Sequence, residues 1–338
     1  MNLSLLEKIF GSQPKYRLVQ AKKALFQDFI SDWSEATTLP KDLREKLEKE
    51  CSIYIDSKAF KSLDGNTVKT LITLSDGLNI EAVLMQHKGR NTVCVSTQVG
   101  CSLNCSFCAT GKMGFKRNLL MSEIVDQIVF FGRFLKATDQ KVTNVVFMGM
   151  GEPFLNYDNV MGAIKYLNQK DTLNLGMRHF SISTSGISDK IKKFADKDVE
   201  VNLALSLHSA DDQSRSKLMP VNKAYPLKKV LEALDYYQEK TRRKIMFEYI
   251  MIKDVNDSIE DARNLMKLAQ KYICVVNLIP YNSSPKSPYK PSPAANIGRF
   301  KSILEQGKVN VVQRFNYGRD IDAACGQLAN KTPTSLSS

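Results

Sequence analysis

Apolar residues recur every three to four positions along roughly the first 65 residues, and this period is typical of short amphipathic helices. The helical segments read LSLLEKIF, YRLVQAKKALFQDFI and PKDLREKLEKEC. Apolar and polar positions then alternate in TVKTLITL and LNIEAVLMQ, which flank the turn sequence SDG. Alternation on both sides of a turn sequence predicts a β-hairpin.

Continuous apolar runs follow the hairpin and alternate with amphipathic segments. The runs read TVCVST, NVVFMG, HFSIST, VNLALSLH, IMFEYIM and CVVNLIP. The amphipathic segments read MSEIVDQIVFFGRFL, YDNVMGAIKYLN, ISDKIKKFAD, PLKKVLEALDYYQEK, SIEDARNLMKLAQKY and NIGRFKSILEQ. A parallel strand is buried on both faces and reads as a continuous apolar run. Six strand–helix units, with a seventh strand in VNVVQRF, therefore predict an α/β fold with a parallel sheet.

The change of pattern predicts a domain boundary near residue 75. We expect a small helical accessory domain over residues 1–75, a catalytic α/β domain over 76–330 and a flexible tail over 331–338. The Pro- and Ser-rich stretch 281–296 is a candidate mobile loop.

Composition indicates a globular cytoplasmic protein. The 338 residues are 43% hydrophobic and 25% charged, and they contain neither a run of 18 apolar residues nor a signal-peptide pattern at the N-terminus. We therefore expect no membrane association, and monomer is the default prediction. The net charge is +13, and residues 1–75 carry 12 basic against 10 acidic side chains, so most of the surplus follows them. Such a surface attracts polyanions such as RNA, although a generally basic protein has the same composition.

The seven cysteines are odd in number and irregular in spacing, which argues against a secreted disulfide framework. Cys51 and Cys274 stand apart from the others and are interpreted as buried structural thiols. Cys101, Cys105 and Cys108 lie together in GCSLNCSFCATG. In a reducing cytosol, clustered thiols more often bind metal or react.

The CxxxCxxC spacing favours an iron–sulfur cluster over zinc. Structural zinc needs four ligands, usually from two knuckles, and this sequence has no second knuckle. Three thiolates on one loop match a [4Fe–4S] cluster in which one iron is left open to an external ligand. Zinc and a cysteine-rich packing turn are the less favoured alternatives.

Polar residues follow several of the predicted strands, where parallel α/β folds place their active sites. They are the cysteine cluster, Gly149–Glu152, Ser183–Ser185, Ser206–His208 and Asn282. We expect these residues to converge on one rim of the sheet.

The segments CSLNCSFC and FMGMGEP resemble the radical S-adenosylmethionine superfamily, and this resemblance implies a partial (βα)6 barrel. The motifs CVSTQVGCSLNCSFCATG, FMGMGEPFLNYDNV, STSG, SLH, KLMPVN and DIDAACGQL resemble the RlmN/Cfr family of RNA adenine methyltransferases. They span residues 81 to 327 in the order expected of that family. The N-terminal helices are then either RNA contacts or a structural cap.

The resemblance implies two cofactors and their ligands. Cys101, Cys105 and Cys108 would hold the [4Fe–4S] cluster. The residues that match the S-adenosylmethionine site are Gly151, Glu152, Ser183, Ser206, Leu207, His208 and Asn282. Without the resemblance, His208 would be read as a satisfied core histidine.

The resemblance also assigns roles to three isolated residues. Cys325 would carry a methyl group from a first S-adenosylmethionine, and a second would supply the radical that activates it. Glu81 would accept the ring proton, and Cys94 would release the product by forming a disulfide with Cys325. Read without the family, Cys94 and Cys325 are small core residues, and Glu81 is a solvent-facing residue on a hairpin strand.

The resemblance leaves the methylated ring carbon to be decided between two branches of the family. Pro153 and Val99 resemble RlmN, which modifies carbon 2 of adenine, whereas Ser209 resembles Cfr, which modifies carbon 8 and confers antibiotic resistance. Carbon 2 is the favoured prediction. Phe315 and Tyr317 replace the usual basic residues before DIDAACGQL, which leaves the substrate contacts near Cys325 open.

The implied partners are an adenine at the peptidyl transferase centre of 23S ribosomal RNA, the transfer RNA adenosine beside the anticodon, and a one-electron donor such as flavodoxin. An alternative of another class is a non-catalytic iron–sulfur protein that binds RNA and senses oxidation.

Overall fold

The computed structural model describes residues 1–197, 199–283, 287–314 and 318–330. The α-helices of these residues are α1 (Leu3–Phe10), α2 (Lys15–Phe26), α3 (Lys41–Glu50), α4 (Ala109–Lys112), α5 (Met121–Lys136), α6 (Tyr157–Leu167), α7 (Ser188–Ala195), α8 (Asp212–Leu218), α9 (Leu227–Thr241), α10 (Ile259–Ala269) and α11 (Ala294–Gln306). The strands are β1 (Ser57–Lys61), β2 (Thr67–Thr73), β3 (Asn79–His87), β4 (Arg90–Cys94), β5 (Gln98–Gly100), β6 (Phe115–Asn118), β7 (Asn144–Phe147), β8 (Phe180–Thr184), β9 (Asn202–Ser206), β10 (Ile245–Met251), β11 (Cys274–Pro280) and β12 (Val311–Gln313). None of the described helices could span a membrane.

One ten-stranded sheet organises the chain, with the strand order β1-β2-β3-β4-β7-β8-β9-β10-β11-β12. Every neighbouring pair from β4 to β12 is parallel. Helices connect these strands, because a parallel pair needs a crossover that a tight turn cannot supply. The predicted α/β fold with a parallel sheet is confirmed.

The N-terminal helices pack around the sole tryptophan. Trp33 is fully buried, and its indole N–H donates to the carbonyl oxygen of Cys51 at 2.8 Å. The buried Cys51 agrees with its interpretation as a structural thiol. Helix α2 packs against α5, and Lys22 of α2 pairs with Asp171 at 3.1 Å. The helical region therefore rests on the parallel part of the molecule.

The predicted hairpin is β2 and β3, and these strands join the parallel sheet directly. Leu71 of β2 pairs with Glu81 of β3, and Val83 of β3 pairs with Cys94 of β4. Hydrogen bonding is thus continuous across residue 75, where the domain boundary is predicted. The division into two domains stays a prediction.

Two short strands beside the cysteine cluster were not predicted from the sequence. Strands β5 and β6 form a separate antiparallel pair on either side of it. Gly100 adopts φ +75°, and a Cβ there would lie 1.8 Å from the carbonyl oxygen of Gly114. A side chain at Gly100 would therefore separate the two strands. Elements of three and four residues are too short to show an apolar period.

Candidate functional site

Cys101, Cys105 and Cys108 follow β5 on one loop, and each is partly buried. The N–H of Cys108 donates to the carbonyl oxygen of Cys105 at 3.1 Å, which closes the loop into a tight turn. Burial raises the pKa of Cys101 to about 12, and burial with the neighbouring thiols raises the pKa of Cys105 well above its ordinary range. Thiolates here need a bound cation to offset the cost of burial.

The donor set fits a cluster better than a single metal ion. Within the described residues, no three His, Cys, Asp or Glu side chains are placed to hold one ion. Zinc would need all of its ligands about 2.0–2.3 Å from one centre. A [4Fe–4S] cluster binds each thiolate through a different iron, so it accepts thiols that are spread more widely. The assignment of the three cysteines to a cluster stays a prediction.

The segment after β7 places a buried carboxylate beside the cysteine loop. Gly151 adopts φ +95°, and a Cβ there would lie 2.5 Å from the Cβ of Gln98. Glu152 accepts the N–H groups of Phe154 at 3.0 Å and Ser185 at 2.8 Å, and burial raises its pKa. Hydrogen bonds from the side chains of Thr184 and Ser185 also act to lower that pKa. An ionised carboxylate at this position can pair with a ligand ammonium group through its charge.

The ends of β8 and β9 place two hydroxyl groups together. The Oγ atoms of Ser183 and Ser206 lie 3.2 Å apart. Leu207 is fully buried, and its N–H donates to the carbonyl oxygen of Glu248 at 3.0 Å. The structure therefore brings these three predicted cofactor residues to one strand edge, where both hydroxyls can bind a polar ligand.

His208 connects that edge to the cysteine loop. Its Nδ1 accepts the N–H of Ile250 at 3.1 Å, so a neutral ring carries its proton on Nε2. Burial lowers the pKa of His208 to about 3, and the imidazole stays neutral at physiological pH. The ring meets Phe107 edge-on with a centroid distance of 4.9 Å. The interpretation of His208 as a core histidine is therefore partly correct, because its Nδ1 has a hydrogen-bond donor within the protein.

Asn282 follows β11 and has an orphaned acceptor. The residue is 2% exposed, and its Oδ1 is buried without a hydrogen-bond donor among the described residues. An unpaired buried carbonyl is costly unless a ligand or water supplies a donor. This atom is the strongest sign in the structure that the predicted S-adenosylmethionine residues line a binding site.

Cys94 and Cys325 are far apart in the sequence but lie near each other in the structure. Burial and, after it, the charge of Cys325 raise the pKa of Cys94 to about 12, which places the two thiols within electrostatic range of each other. Cys325 is reached by solvent, yet surrounding protein atoms raise its pKa, with Cys108 among the contributing charges. The N–H of Ala109 donates to the carbonyl oxygen of Gly326 at 2.8 Å. The site therefore contains five cysteines rather than three.

Residues 318–330, which we call the C-terminal segment, are held from several sides. Thr110 donates its hydroxyl to the carbonyl oxygen of Leu328 at 2.7 Å, and Gln327 donates to that of Ser283 at 3.1 Å. These contacts place Cys325 between the cysteine loop and the loop after β11. The predicted tail, residues 331–338, and the replaced residues Phe315 and Tyr317 lie outside the described residues.

Glu81 lies under the C-terminal segment and is fully buried. Its Oε1 pairs with Nζ of Lys69 at 2.8 Å. Its Oε2 accepts the N–H groups of Ala329 at 2.7 Å and Asn330 at 3.0 Å. The solvent-facing interpretation of Glu81 is therefore wrong, and its role as proton acceptor stays a prediction.

Arg215 of α8 is a central residue that the sequence did not reveal. It is fully buried and donates to the carbonyl oxygens of Ser185 at 2.7 Å and Leu207 at 3.2 Å, and also to Oδ1 of Asn222. Burial lowers its pKa to about 10, so the guanidinium stays charged. It joins the ends of β8 and β9 beside Cys105. Helix α8 is too short to show a helical period, so the sequence pattern did not indicate a buried arginine there.

A second missed group centres on Glu248 of β10. Its Oε1 accepts from Asn277 at 2.8 Å and from Arg314 at 3.0 Å, while its Oε2 is buried without a donor among the described residues. A charged residue inside the apolar run IMFEYIM was the available sequence sign. The charge of Arg314 opposes the effect of burial on the pKa of both Cys94 and Cys325.

Comparisons with known proteins agree with this geometry. A model of the radical SAM superfamily matches residues 95–268. "Probable dual-specificity RNA methyltransferase RlmN" of Dictyoglomus thermophilum is 46% identical over 94% of this chain and 91% of its own length. The protein of the same name from Staphylococcus saprophyticus is also 46% identical, over 95% of this chain and 88% of its own.

A solved structure shows the same architecture. The crystal structure of a radical SAM methyltransferase from Sphaerobacter thermophilus matches with a TM-score of 0.93 and 39% identity. The match covers 98% of both chains. The accessory helices, the sheet and the C-terminal segment are therefore within the shared fold.

Replacing Arg215 with Met should lower the free energy of unfolding by about 3 kcal/mol or more, because several buried acceptors lose their donor at about 1–3 kcal/mol each. Urea unfolding measures the change. Arg178→Met is the matched control, since that arginine is 72% exposed and pairs with Glu200 at the surface. Equal urea midpoints for the two variants would contradict the structural role of Arg215.

Proposed function

Since this chain belongs to the radical SAM superfamily and, within it, to the RlmN methyltransferases, we propose that it methylates carbon 2 of adenine in RNA. The observation that carries the proposal is that the C-terminal segment bearing Cys325 is hydrogen-bonded to the cysteine loop, with Cys94 within electrostatic range of Cys325. Membership of this family makes the chain an enzyme, so the non-catalytic redox sensor is excluded.

The relatives are named as dual-specificity RNA methyltransferases, which supports two kinds of RNA substrate. We propose an adenine at the peptidyl transferase centre of 23S ribosomal RNA and the transfer RNA adenosine beside the anticodon. The net charge of +13 supports binding to either polyanion. The target base must leave its stack to reach the Cys325 sulfur. A protein such as flavodoxin would supply the electron.

The predicted cofactor residues suit the two groups that the family requires. Cys101, Cys105 and Cys108 would hold a [4Fe–4S] cluster. The residues that would hold S-adenosylmethionine are Gly151, Glu152, Ser183, Ser206, Leu207, His208 and Asn282. When bound, the cluster and S-adenosylmethionine would supply two things: a methyl group from one S-adenosylmethionine, and from a second the radical that removes a hydrogen atom.

Cys325 would act as the methyl carrier. Carbon 2 of adenine is electron-poor and cannot attack a sulfonium methyl group, whereas a thiolate can. Because Cys325 is reached by solvent, both the methyl donor and the target base can approach its sulfur. After the carried methyl loses one hydrogen atom, its carbon can bond to the ring carbon.

Glu81 and Cys94 would complete the reaction. Glu81 would take the proton of the ring carbon, and the electron pair of that C–H bond stays in the ring. The unpaired electron that the new C–C bond leaves in the ring would return to the one-electron carrier that supplied it, which leaves a closed-shell thioether. The Cys94 thiolate then attacks the Cys325 sulfur, so that an S–S bond forms as the S–CH₂ bond breaks. The electron pair of the broken bond goes to the carbon, which takes up a proton and becomes the new methyl group.

Carbon 8 methylation, as in Cfr, is the competing candidate, and Ser209 is the residue that favours it. In the structure Ser209 is buried, and its Oγ accepts the N–H of Asp211 at 3.1 Å. Its hydroxyl thus belongs to the turn that precedes α8. This local use gives no argument for either ring carbon, and the naming of the relatives favours carbon 2.

The reconstituted enzyme should convert an adenosine in a 23S ribosomal RNA fragment to 2-methyladenosine. Digestion to nucleosides and chromatography against standards of 2- and 8-methyladenosine measure the product. A transfer RNA substrate, tested in parallel, should give the same nucleoside. Finding 8-methyladenosine would overturn the proposed ring position and support the competing candidate.

Anaerobically reconstituted protein should gain one methyl group on the peptide that contains Cys325 when S-adenosylmethionine is added, because that thiol is the proposed carrier. Mass spectrometry of the digested protein measures the modification. Cys51→Ala is the matched control and should keep it, since Cys51 is a buried thiol outside the site. An unmodified Cys325 in protein that binds both the cluster and RNA would rule out the carrier mechanism.

Cys94→Ala should trap a covalent adduct between protein and RNA, because the thiol that breaks the S–CH₂ bond is missing. Denaturing gel electrophoresis detects the adduct, and Cys325→Ala should form none. If Cys94→Ala releases only free methylated RNA at the wild-type rate, Cys94 does not resolve the intermediate.

A further inference from the structure

Lys69 and Glu81 form an ion pair inside the hairpin. Their side chains are 1% and 0% exposed, and Nζ lies 2.8 Å from Oε1. Lys69 pairs in register with Val83, which pairs with Cys94 on the next strand. Glu81 is two residues from Val83, and residues two apart on a strand share a face. Lys69, Glu81 and Cys94 therefore project from the same face of the sheet.

Stability does not explain this ion pair. Removing two charges from water costs more than their attraction usually returns, and apolar replacements of such pairs are often as stable or more stable. A buried ammonium and carboxylate at this depth are better explained by a need for one of the two charges. The carboxylate is the charge that the proposed reaction uses.

The other contacts of Glu81 come from a segment that must move. Ala329 and Asn330 donate their N–H groups to Oε2 and cover the carboxylate. A proton acceptor must come within about 3 Å of the proton it takes. Because Glu81 is fully buried, the target base can reach Oε2 only when these two residues withdraw. Lys69 lies on β2, within the sheet.

We propose that Lys69 is the positioning residue of the proton acceptor, which it holds as an ionised carboxylate in fixed orientation while the C-terminal segment withdraws. The inference rests on the proposed role of Glu81. The proton passes from the ring carbon to a carboxylate oxygen of Glu81, and Lys69 keeps its own protons throughout. Lys69 therefore acts only through Glu81.

The test uses full-length reconstituted Lys69→Met enzyme. Methylation of Cys325 should be unchanged, because that step does not involve the ring proton that Glu81 takes. RNA methylation should slow about 100-fold, within the range for loss or misplacement of a general base. Deuterium on the target ring carbon should slow the variant further, since proton removal becomes rate-limiting. Lys69→Arg keeps the charge and should recover at least about tenfold of the loss.

Lys22→Met is the matched control. Lys22 is also a buried lysine, 7% exposed and paired with Asp171 at 3.1 Å, but it lies on α2 away from the site. It should leave both the methylation rate and the deuterium sensitivity unchanged. If Lys69→Met behaves as Lys22→Met does, the inference is wrong.

A double-mutant cycle separates positioning from a structural role. Residues that act as one unit are not additive, so Lys69→Met combined with Glu81→Gln should be no slower than Glu81→Gln by itself. The double variant should also melt at a higher temperature than Lys69→Met, because no unpaired charge remains buried. A double variant slower than Glu81→Gln would assign Lys69 a role independent of Glu81 and overturn the inference.

The result for Glu81→Gln separates the positioning role of Lys69 from the proposed proton-acceptor role of Glu81. If Glu81→Gln is slow and Lys69→Met is fast, only the positioning role falls. If Glu81→Gln keeps the wild-type rate, the proposed proton acceptor is wrong and the inference falls with it. Methylation of Cys325 in both variants would show that the carrier step stands in either case.

Discussion

The parallel register from β4 to β12 determines which side chains share a face, and the site depends on it. Register partners in a parallel pair project to the same side, so Ser206, Glu248 and Asn277 form one polar row. Cys94 reaches the same face through Val146, its partner on β7. A shift of one residue in any strand would turn its polar group toward the helices.

Burial of charge is the second property of this site. Glu152, Arg215, Glu81 and Lys69 are almost fully removed from solvent, and each has hydrogen-bond or ionic partners. A buried charged group that leaves its partners loses more free energy than an exposed one, because no water replaces them. The partners therefore hold these side chains in place. The carboxylates and guanidinium are thereby oriented before any ligand arrives.

The sequence predicted the parallel strands and most helices because long apolar runs and clear periods mark them. It also predicted the strand-end residues, since the carboxyl ends of parallel strands form a common rim. It could not predict β5, β6 or α8, which are too short to show a pattern. Nor could it predict the partners of Glu81, because Lys69 and Ala329 lie on either side of it at very different sequence distances. The family resemblance named Cys94 and Cys325, but only the fold places the two thiols within electrostatic range of each other.

The nearness of Cys94 and Cys325 has a consequence for the chain as a polymer. A disulfide between them would close a covalent ring that contains most of the protein, from β4 to the C-terminal segment. Closing so long a loop lowers the entropy of the unfolded chain by an amount worth up to roughly 5 kcal/mol. The enzyme would therefore leave each turnover more resistant to unfolding than it entered, and cellular thiols would both reset the catalyst and loosen its fold.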